Sequence, residues 1–185
     1  MNLSAVILAA GASRRMGFPK SQLLWHGETY LARFIRIFGA LAPVTVVMRE
    51  SPPEGIGGVR LVLNPDPERG MLSSLQLGIA DCEGPVLFSP VDFAHVRQET
   101  VEGLVAAYRG EPVLNPRFDG RRGHPTMISQ ATVQALLRMP PEANPKDLLR
   151  TLPDTYFECT DPGILRDVDD PEAYRSVLAH LGKGF

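Results

Sequence analysis

This sequence of 185 residues contains little cysteine and has a small net charge. There are only two cysteines, Cys82 and Cys159, and 19 Lys and Arg residues against 21 Asp and Glu leave a formal net charge of −2. The cysteines form no paired metal-ligand spacing, so we expect two buried thiols in a reducing, cytoplasmic environment. The charge balance and the lack of a dense Lys/Arg block exclude a generally basic nucleic-acid-binding protein.

The N-terminal sequence also lacks the features of a membrane segment. The apolar run at residues 3–12 is too short to cross a bilayer, and no basic segment precedes it as in a signal peptide. We therefore interpret it as a buried strand and expect no membrane partner. A hydrophobic content of 44% and a charged content of 22% are typical of a globular protein. The length suits one domain, residues 1–185.

Short apolar runs alternate with helical patterns along the chain. Apolar runs predict buried strands at residues 6–10 and 44–48, and further strands at residues 59–63, 86–88 and 113–114. Apolar residues three and four positions apart predict helices at residues 31–41, 72–81 and 101–108. This alternation predicts an α/β fold with a single doubly wound, mostly parallel sheet.

Two further segments have a clear local prediction. The prolines and glycines of residues 51–58 predict a surface turn. Asp170, followed by a proline and a glutamate, predicts the start of a last helix, because it combines a side-chain cap with proline in the first turn. The expected buried stripe of that helix is Tyr174, Val177, Leu178 and Leu181.

Ligands of open α/β sheets bind outside the carboxyl ends of the strands, so the loops that follow the strands are the candidate binding segments. The first such loop holds Gly11, Arg14, Arg15 and Lys20. Glycine amides can form an anion-binding nest, and the cations suit a polyphosphate. The spacing fits neither the P-loop nor the Gly-x-Gly-x-x-Gly pattern. A solvated basic loop is the alternative, and composition favours phosphate binding only slightly.

The next two loops supply small polar residues and carboxylates. Gly70, Ser73 and Ser74 suit a nucleobase or ribose, although the serines by themselves are better explained as helix caps. Asp92 follows the fourth strand and is a candidate Mg²⁺ ligand. For the second metal ligand we favour Asp169, whereas a metal role and a purely structural role are about equally supported for Asp167. We expect Asp170 mainly to cap the last helix.

A further polar cluster lies at residues 120–125. Arg121, Arg122 and His124 could hold a second, anionic substrate at a hairpin tip. The alternative is that His124 is a structural donor or simply exposed, and the cluster alone does not decide between these interpretations.

Taken in order, these segments resemble the molybdenum cofactor nucleotidyltransferase family, within the wider Rossmann-like fold of nucleotide-diphosphosugar and cytidylyl transferases. The similar motifs, in chain order and spanning nearly the whole sequence, are LAAGASRRMGFPK, NPDPERGMLSSLQLG, SPVDFAHV, GHP and DVDDPEAY. Ala-Ala-Gly at residues 9–11, the Gly-Met-x-x-Ser-Leu loop and Gly-His-Pro resemble the cytidylyl branch.

The resemblance implies a reaction and a set of roles. A phosphate of the acceptor, molybdopterin, attacks the α-phosphorus of the nucleotide donor, and pyrophosphate leaves. The implied donor is CTP rather than GTP. Mg²⁺ is the implied cofactor, and a molybdoenzyme is a possible protein partner. The implied catalytic residues are Lys20, Arg15 and Asp92. The implied nucleotide and substrate contacts are Ala10, Gly11, Ala12, Arg14, Gly70, Ser73, Ser74, Gly123 and His124. The implied metal ligands are Asp92 and Asp169.

One departure from the family pattern keeps the acceptor open. The family commonly has proline two residues after the metal aspartate, whereas Asp92 is followed by Phe93 and Ala94. The alternative is a Mg²⁺-dependent transferase that acts on a sugar phosphate or another phosphorylated small molecule. A non-catalytic module that binds and delivers a nucleotide or cofactor is a third, less favoured hypothesis.

Overall fold

The computed structural model describes residues 2–51, 56–153 and 155–181. The strands of this part of the chain are β1 (Ser4–Ala9), β2 (Leu24–Trp25), β3 (Glu28–Thr29), β4 (Val44–Met48), β5 (Arg60–Leu63), β6 (Val86–Pro90), β7 (Val113–Phe118), β8 (Arg121–Arg122), β9 (Thr126–Ile128) and β10 (Thr155–Glu158). Its α-helices are α1 (Tyr30–Gly39), α2 (Met71–Ile79), α3 (Gln98–Ala107), α4 (Gln130–Leu137), α5 (Pro145–Leu149) and α6 (Pro171–Leu181).

One large sheet organises the fold. Its strands run in the order β10-β7-β9-β6-β1-β4-β5, with β8 paired to β7, while β2 and β3 form a separate hairpin. β1 is parallel to β4 and β6, β4 to β5, and β7 to β10, whereas β9 is antiparallel to both of its neighbours. The predicted α/β fold with a mostly parallel sheet is confirmed.

Helices cover both faces of the sheet because successive side chains of a strand point in opposite directions. In β1, Ala5 and Ile7 belong to the core on the side of α1 and α3, and Val6 and Leu8 belong to the core on the side of α2 and α4. Residue 78 of α2 must be glycine, since any Cβ there would collide with Val6 and the helix lies directly on the sheet. Because helices cover both faces of the sheet, side chains on both sides of its central strands are mostly apolar.

Several sequence predictions need correction. Leu178 is 42% exposed, so it does not belong to the buried stripe of α6, and the side chain of Leu181 lies outside the described residues. Cys82 is buried as expected, but Cys159 is only partly buried. The strand predicted at residues 113–114 continues to Phe118. Of the predicted turn at residues 51–58, residues 52–55 lie outside the described part.

The start of α6 agrees with the prediction made from the sequence. Asp170 caps α6 as predicted, because its Oδ1 accepts from the backbone N–H groups of Glu172 and Ala173.

Among the described residues, no helix is long and apolar enough to cross a membrane.

Candidate functional site

A cavity of about 460 Å³ lies at the carboxyl ends of β1 and β6. Its walls come from the loop after β1, the start of α2, the end of β6 and the segment before α6. Because parallel strands end at one edge of the sheet, residues far apart in the sequence meet here. We call this the first cavity.

The loop after β1 is held in a specific conformation by Ser13. Ser13 adopts a left-handed backbone conformation with φ +48°, which is uncommon for a residue with a side chain. Its carbonyl oxygen accepts from the backbone N–H of Gly17 at 3.0 Å, and its Oγ accepts from the backbone N–H of Lys20 at 3.2 Å. These two bonds fold the loop back on itself and bring Lys20 to the wall of the first cavity.

Lys20 joins the two candidate metal ligands. Its Nζ donates to Asp92 Oδ2 at 2.8 Å and to Asp169 Oδ1 at 2.6 Å. The side chains of Lys20 and Asp92 are only 15% and 18% exposed, and that of Asp169 is 36% exposed. The two carboxylates, from positions 77 residues apart in the sequence, therefore converge on one cation.

The charges of this cluster depend on one another. Burial opposes ionisation of Lys20, but its two carboxylate partners outweigh this effect and hold the pKa of Lys20 above its ordinary value. The hydrogen bond from Lys20 lowers the pKa of Asp169. Burial raises the pKa of Asp92, and the charge of Lys20 opposes that rise. The cluster is therefore an ion triad in which Asp92 depends on a nearby cation to stay charged.

Arginines at the mouth of the first cavity are paired with acids. Arg14 and Arg49 both donate to the carboxylate of Glu68, at 2.9 and 2.8 Å, and Arg15 donates to Asp169 Oδ2 at 2.7 Å. The side chains of Arg14, Arg15 and Glu68 are exposed, and ion pairs between exposed side chains contribute little to stability. An incoming anion can therefore take the place of the acids as partner of the arginines.

The second predicted loop is organised by Asn64, which is buried at the end of β5. Its Nδ2 donates to Ser73 Oγ at 3.0 Å and to Ser74 Oγ at 2.9 Å. Ser74 lines the first cavity, whereas Ser73 donates to the carbonyl of Gly70 and is not part of the cavity wall. The predicted capping role of the two serines is wrong, because both lie inside α2 and Gly70 occupies the N-cap position.

The start of α2 opens toward the first cavity. Gly70 has φ +104°, a conformation that favours glycine, and no described side chain caps the helix. The first N–H groups of a helix have no partner within it and carry partial positive charge. Since Gly70 and Met71 line the cavity, these groups are available to a ligand there.

Gly123 and His124 lie in a second cavity, also of about 460 Å³, beside the first. A Cβ at position 123 would collide with the carbonyl group of Ile164, so the close approach of the two segments requires glycine. The backbone N–H of His124 donates to the same carbonyl oxygen at 3.0 Å. The hairpin tip itself is Asp119–Gly120, between β7 and β8, so residues 123–125 follow the hairpin rather than form its tip.

Asp92 and Asp169 form a donor set that fits a divalent cation bound together with phosphates. Asp92 Oδ1 is buried without a hydrogen-bond partner among the described residues, and Asp92 Oδ2 already contacts a cation. No group of three or more His, Cys, Asp or Glu side chains in the described part of the chain could hold a metal. Mg²⁺ is commonly held by one or two carboxylates plus substrate phosphates, and two carboxylates suffice for that arrangement.

The structure therefore divides the predicted site residues between two cavities. The first cavity is lined by Ala10, Gly11, Ala12, Arg14, Arg15, Lys20, Gly70, Ser74, Asp92 and Asp169. Gly123, His124 and the alternative acid Asp167 line the second. Sequence reasoning assigned no role to Asn64, Arg49 or Glu68. Asn64 carried the only available signal, as a polar residue directly after a strand.

A mostly parallel α/β sheet with a basic, glycine-containing loop and carboxylates at its carboxyl edge is the architecture of a nucleotide-binding protein. The chain belongs to the family of the MobA-like NTP transferase domain, whose model matches residues 5–156. It is a nucleotidyltransferase of that family.

Known relatives cover nearly the whole chain. Nicotine blue oxidoreductase from Paenarthrobacter nicotinovorans is 27% identical over 95% of this chain and 96% of its own. Molybdenum cofactor cytidylyltransferase from Escherichia coli K12 is 22% identical over 93% of each chain. Rv0371c from Mycobacterium tuberculosis H37Rv has the same fold, with a TM-score of 0.80, 21% identity and coverage of 96% of this chain and 97% of its own. A complex of Rv0371c with manganese superposes with a TM-score of 0.74.

Proposed function

We propose that this protein is a Mg²⁺-dependent cytidylyltransferase that transfers CMP from CTP to molybdopterin or another phosphorylated small molecule and releases pyrophosphate. The observation that carries the proposal is the convergence of Lys20, Asp92 and Asp169 in one cavity with the loop after β1. Two anions have to meet in this reaction, and a site with positioned cations serves that need.

The nucleotide would lie along the loop after β1 and the start of α2. Backbone groups of residues 10–12 and the side chain of Ser74 would contact the base and ribose. The N–H groups at the start of α2 would face the phosphates, which the partial positive charge of a helix N-terminus favours. Arg14 and Arg15 would exchange Glu68 and Asp169 for triphosphate oxygens, because both arginines are exposed and their present partners lie at the cavity mouth.

Asp92 and Asp169 would hold Mg²⁺ against the triphosphate. The bound ion would act as a Lewis acid and template for the phosphates. Lys20 would then move its Nζ from the carboxylates to an oxygen of the reacting phosphate. It would remain charged there, because phosphate oxygens replace the negative charge of the two acids.

The relatives support a nucleotide donor and a divalent metal, but they leave the acceptor open. One relative is named a molybdenum cofactor cytidylyltransferase, and Rv0371c was crystallised with manganese. The relative from P. nicotinovorans is named an oxidoreductase, so a redox activity has to be tested beside nucleotidyl transfer.

The deciding experiment measures pyrophosphate release from the four nucleoside triphosphates with Mg²⁺, with and without molybdopterin. We expect release from CTP that requires both the metal and the acceptor. The variants Lys20→Ala and Asp92→Ala should each lose about 10²- to 10³-fold in rate while circular dichroism shows a retained fold. Arg138→Gln, a change at an exposed residue outside both cavities, should retain full activity.

Four outcomes would contradict the proposal. Full activity in both variants would remove the assigned roles, and equal use of CTP and GTP would remove the choice of base. A redox activity without any pyrophosphate release would favour a redox enzyme. Tight CTP binding without turnover under any condition would favour a delivery module.

A further inference from the structure

The backbone that follows Asp92 depends on contacts with other parts of the chain for its conformation. Residues 94–97, which we call the connecting segment, join the short turn that carries Asp92 to the start of α3. They belong to no helix or strand, so no regular backbone pattern fixes them. Ala94, His95 and Val96 are buried all the same. Because Asp92 lies two residues before this segment, any movement of the segment displaces its carboxylate.

Arg33 of α1 holds the connecting segment by its backbone. Its Nε donates to the carbonyl oxygen of Ala94 at 2.7 Å, and its Nη2 donates to that of Val96 at 3.0 Å. One planar guanidinium therefore fixes the segment at two points, which the single ammonium group of a lysine cannot do in the same way. Burial, together with the charge of Arg36, lowers the pKa of Arg33. The two hydrogen bonds offset this cost of placing a cation there.

The chain that leads to Asp169 contacts the same segment. Asp161 is only 2% exposed, and its carboxylate accepts from the backbone N–H groups of Arg97 at 2.7 Å and of Gly163 at 2.8 Å. A Cβ at position 163 would collide with the carbonyl group of His95, so this close approach requires glycine. The parts of the chain that carry the two acids of the ion triad therefore lie against each other at the connecting segment.

Arg33 is placed to act through this segment and not on a ligand. Both cavities are lined by residues of other elements than α1. Tyr30 lies one turn earlier on the same face of α1, and its hydroxyl shares a hydrogen bond of 2.7 Å with the side chain of His95. Tyr30 and Arg33 thus contact the same segment in two ways, through a side chain and through the backbone.

We propose that Arg33 is a positioning residue for the ion triad, and that its hold on the carbonyl groups of Ala94 and Val96 keeps Asp92 where it can share a divalent cation with Asp169. Loss of a residue that supports metal ligands from behind commonly costs about 10- to 100-fold in metal affinity or activity. The inference rests on the proposed function for its effect on turnover, but metal binding by the two acids can be measured without any nucleotide.

The test is a titration with Mn²⁺, followed by electron paramagnetic resonance of the free ion. Each substitution is made in protein that also carries Lys20→Met, because this change removes the cation that lies between the two carboxylates. Adding Arg33→Met, which keeps an unbranched side chain but removes both hydrogen bonds, should weaken Mn²⁺ binding about tenfold. Arg33→Lys, which keeps the charge and can bond one carbonyl group, should weaken it only about threefold.

Two variants of α1 serve as controls. Arg36→Met removes an arginine whose side chain is 50% exposed and pairs with Glu28, so Mn²⁺ affinity should change by less than about twofold. Tyr30→Phe removes the buried hydrogen bond to His95 and leaves the backbone bonds of Arg33 in place. We expect it to lower the Tm by about 2–4 °C and to leave Mn²⁺ affinity within about twofold.

Turnover is measured in protein that retains Lys20. At saturating Mg²⁺, Arg33→Met should lower kcat about tenfold or more, because a small displacement of a catalytic group is costly. The KM for CTP should change by less than about threefold, since Arg33 is not among the residues that line the first cavity. A general loosening of the fold would not separate kcat from KM in this way.

The proposal is overturned if Arg33→Met lowers the Tm but leaves Mn²⁺ affinity unchanged, because Arg33 would then only stabilise the fold. If Arg33→Met does not fold, Arg33→Lys decides between the same two results. Equal weakening by Tyr30→Phe, or no Mn²⁺ binding to Lys20→Met at millimolar concentration, would also overturn it. A failure of the proposed function looks different, since Mn²⁺ affinities would then change as expected while the unchanged protein releases no pyrophosphate from any triphosphate.

Discussion

Lys20 occupies the space between Asp92 and Asp169 in the absence of ligand, and a metal ion would have to compete with it. Lys20→Met removes this cation but keeps most of the side-chain volume. We expect the variant to bind Mn²⁺ without nucleotide about tenfold more tightly than the unchanged protein, because both carboxylates lose their internal partner. Binding can be followed by electron paramagnetic resonance of free Mn²⁺. The same variant should have lost its transferase activity.

Arg15→Gln serves as the comparison for Lys20→Met. Arg15 also contacts Asp169, but its side chain is 70% exposed, so its removal should change Mn²⁺ affinity by less than about threefold. If Lys20→Met binds Mn²⁺ no more tightly than the unchanged protein, Lys20 does not compete for the two carboxylates.

The sequence predicts the place of a single residue in the fold where that residue follows the end of a strand. Asp92, Lys20 and Gly70 were assigned to one edge of the sheet because each lies in a segment that follows a predicted strand, and the structure brings all three to the first cavity. Pairings between loops could not be predicted in the same way. Arg49 and Arg14 share Glu68 only because three separate loops fold over the sheet edge, and no local pattern encodes that geometry.

At the scale of elements, the first turn of α2 separates structural from ligand-binding polar groups. Ser73 and Ser74 both accept from Asn64, but only Ser74 lines the first cavity. We expect Ser74→Ala to raise the Kd for CTP about fivefold, and Ser73→Ala to leave it within twofold. Each substitution removes one hydrogen bond of Asn64 and should lower the free energy of unfolding by about 1 kcal/mol.

Calorimetry and urea denaturation of the two variants measure both quantities. Equal effects on CTP binding would mean that the serines act only through the position of α2. An effect of Ser73→Ala alone would show that the nucleotide contacts the opposite side of the helix.

Element type was predictable where the apolar pattern was long, and it was missed where pairing came from distant residues. β1, β4 and β6 are almost entirely apolar because both faces of the sheet are covered. β9 has only three residues and lies antiparallel between β6 and β7, an arrangement that no periodicity reveals. Leu178 has the helical spacing of the other apolar residues of α6, but its side chain lies outside the buried face of that helix.

At the scale of the whole molecule, a buried polar cluster joins the β2–β3 hairpin to the large sheet. The Nε2 of His95 shares a hydrogen bond of 2.7 Å with the hydroxyl of Tyr30, at the start of α1. The ring of His95 also contacts Trp25 of β2, with centroids 4.7 Å apart. His95 lies in the segment after β6 that also carries Asp92. The cluster therefore connects three elements around the segment that supports the ion triad.

This connection should make the stability of the fold depend on pH. Burial lowers the pKa of His95 to about 4, compared with 6.5 for the unperturbed side chain, and His95 is only 3% exposed. Between these values the unfolded chain binds the proton and the folded chain does not, so stability is full above about pH 6.5 and is lost as the pH falls toward 4. From pH 7 to 4.5, this residue should contribute a loss of roughly 2–3 kcal/mol in the free energy of unfolding.

Urea denaturation at pH 7 and pH 4.5 tests this with His95→Gln, which keeps a hydrogen-bonding side chain but does not titrate. We expect the loss of unfolding free energy between the two pH values to be smaller in the variant by that amount. Because His124 and the carboxylates remain in both proteins, their contributions cancel in the comparison. His26→Gln, at an exposed histidine beside the same Trp25, should retain the full pH dependence. Equal losses in the unchanged protein and in His95→Gln would mean that the buried cluster takes up the proton without weakening the fold.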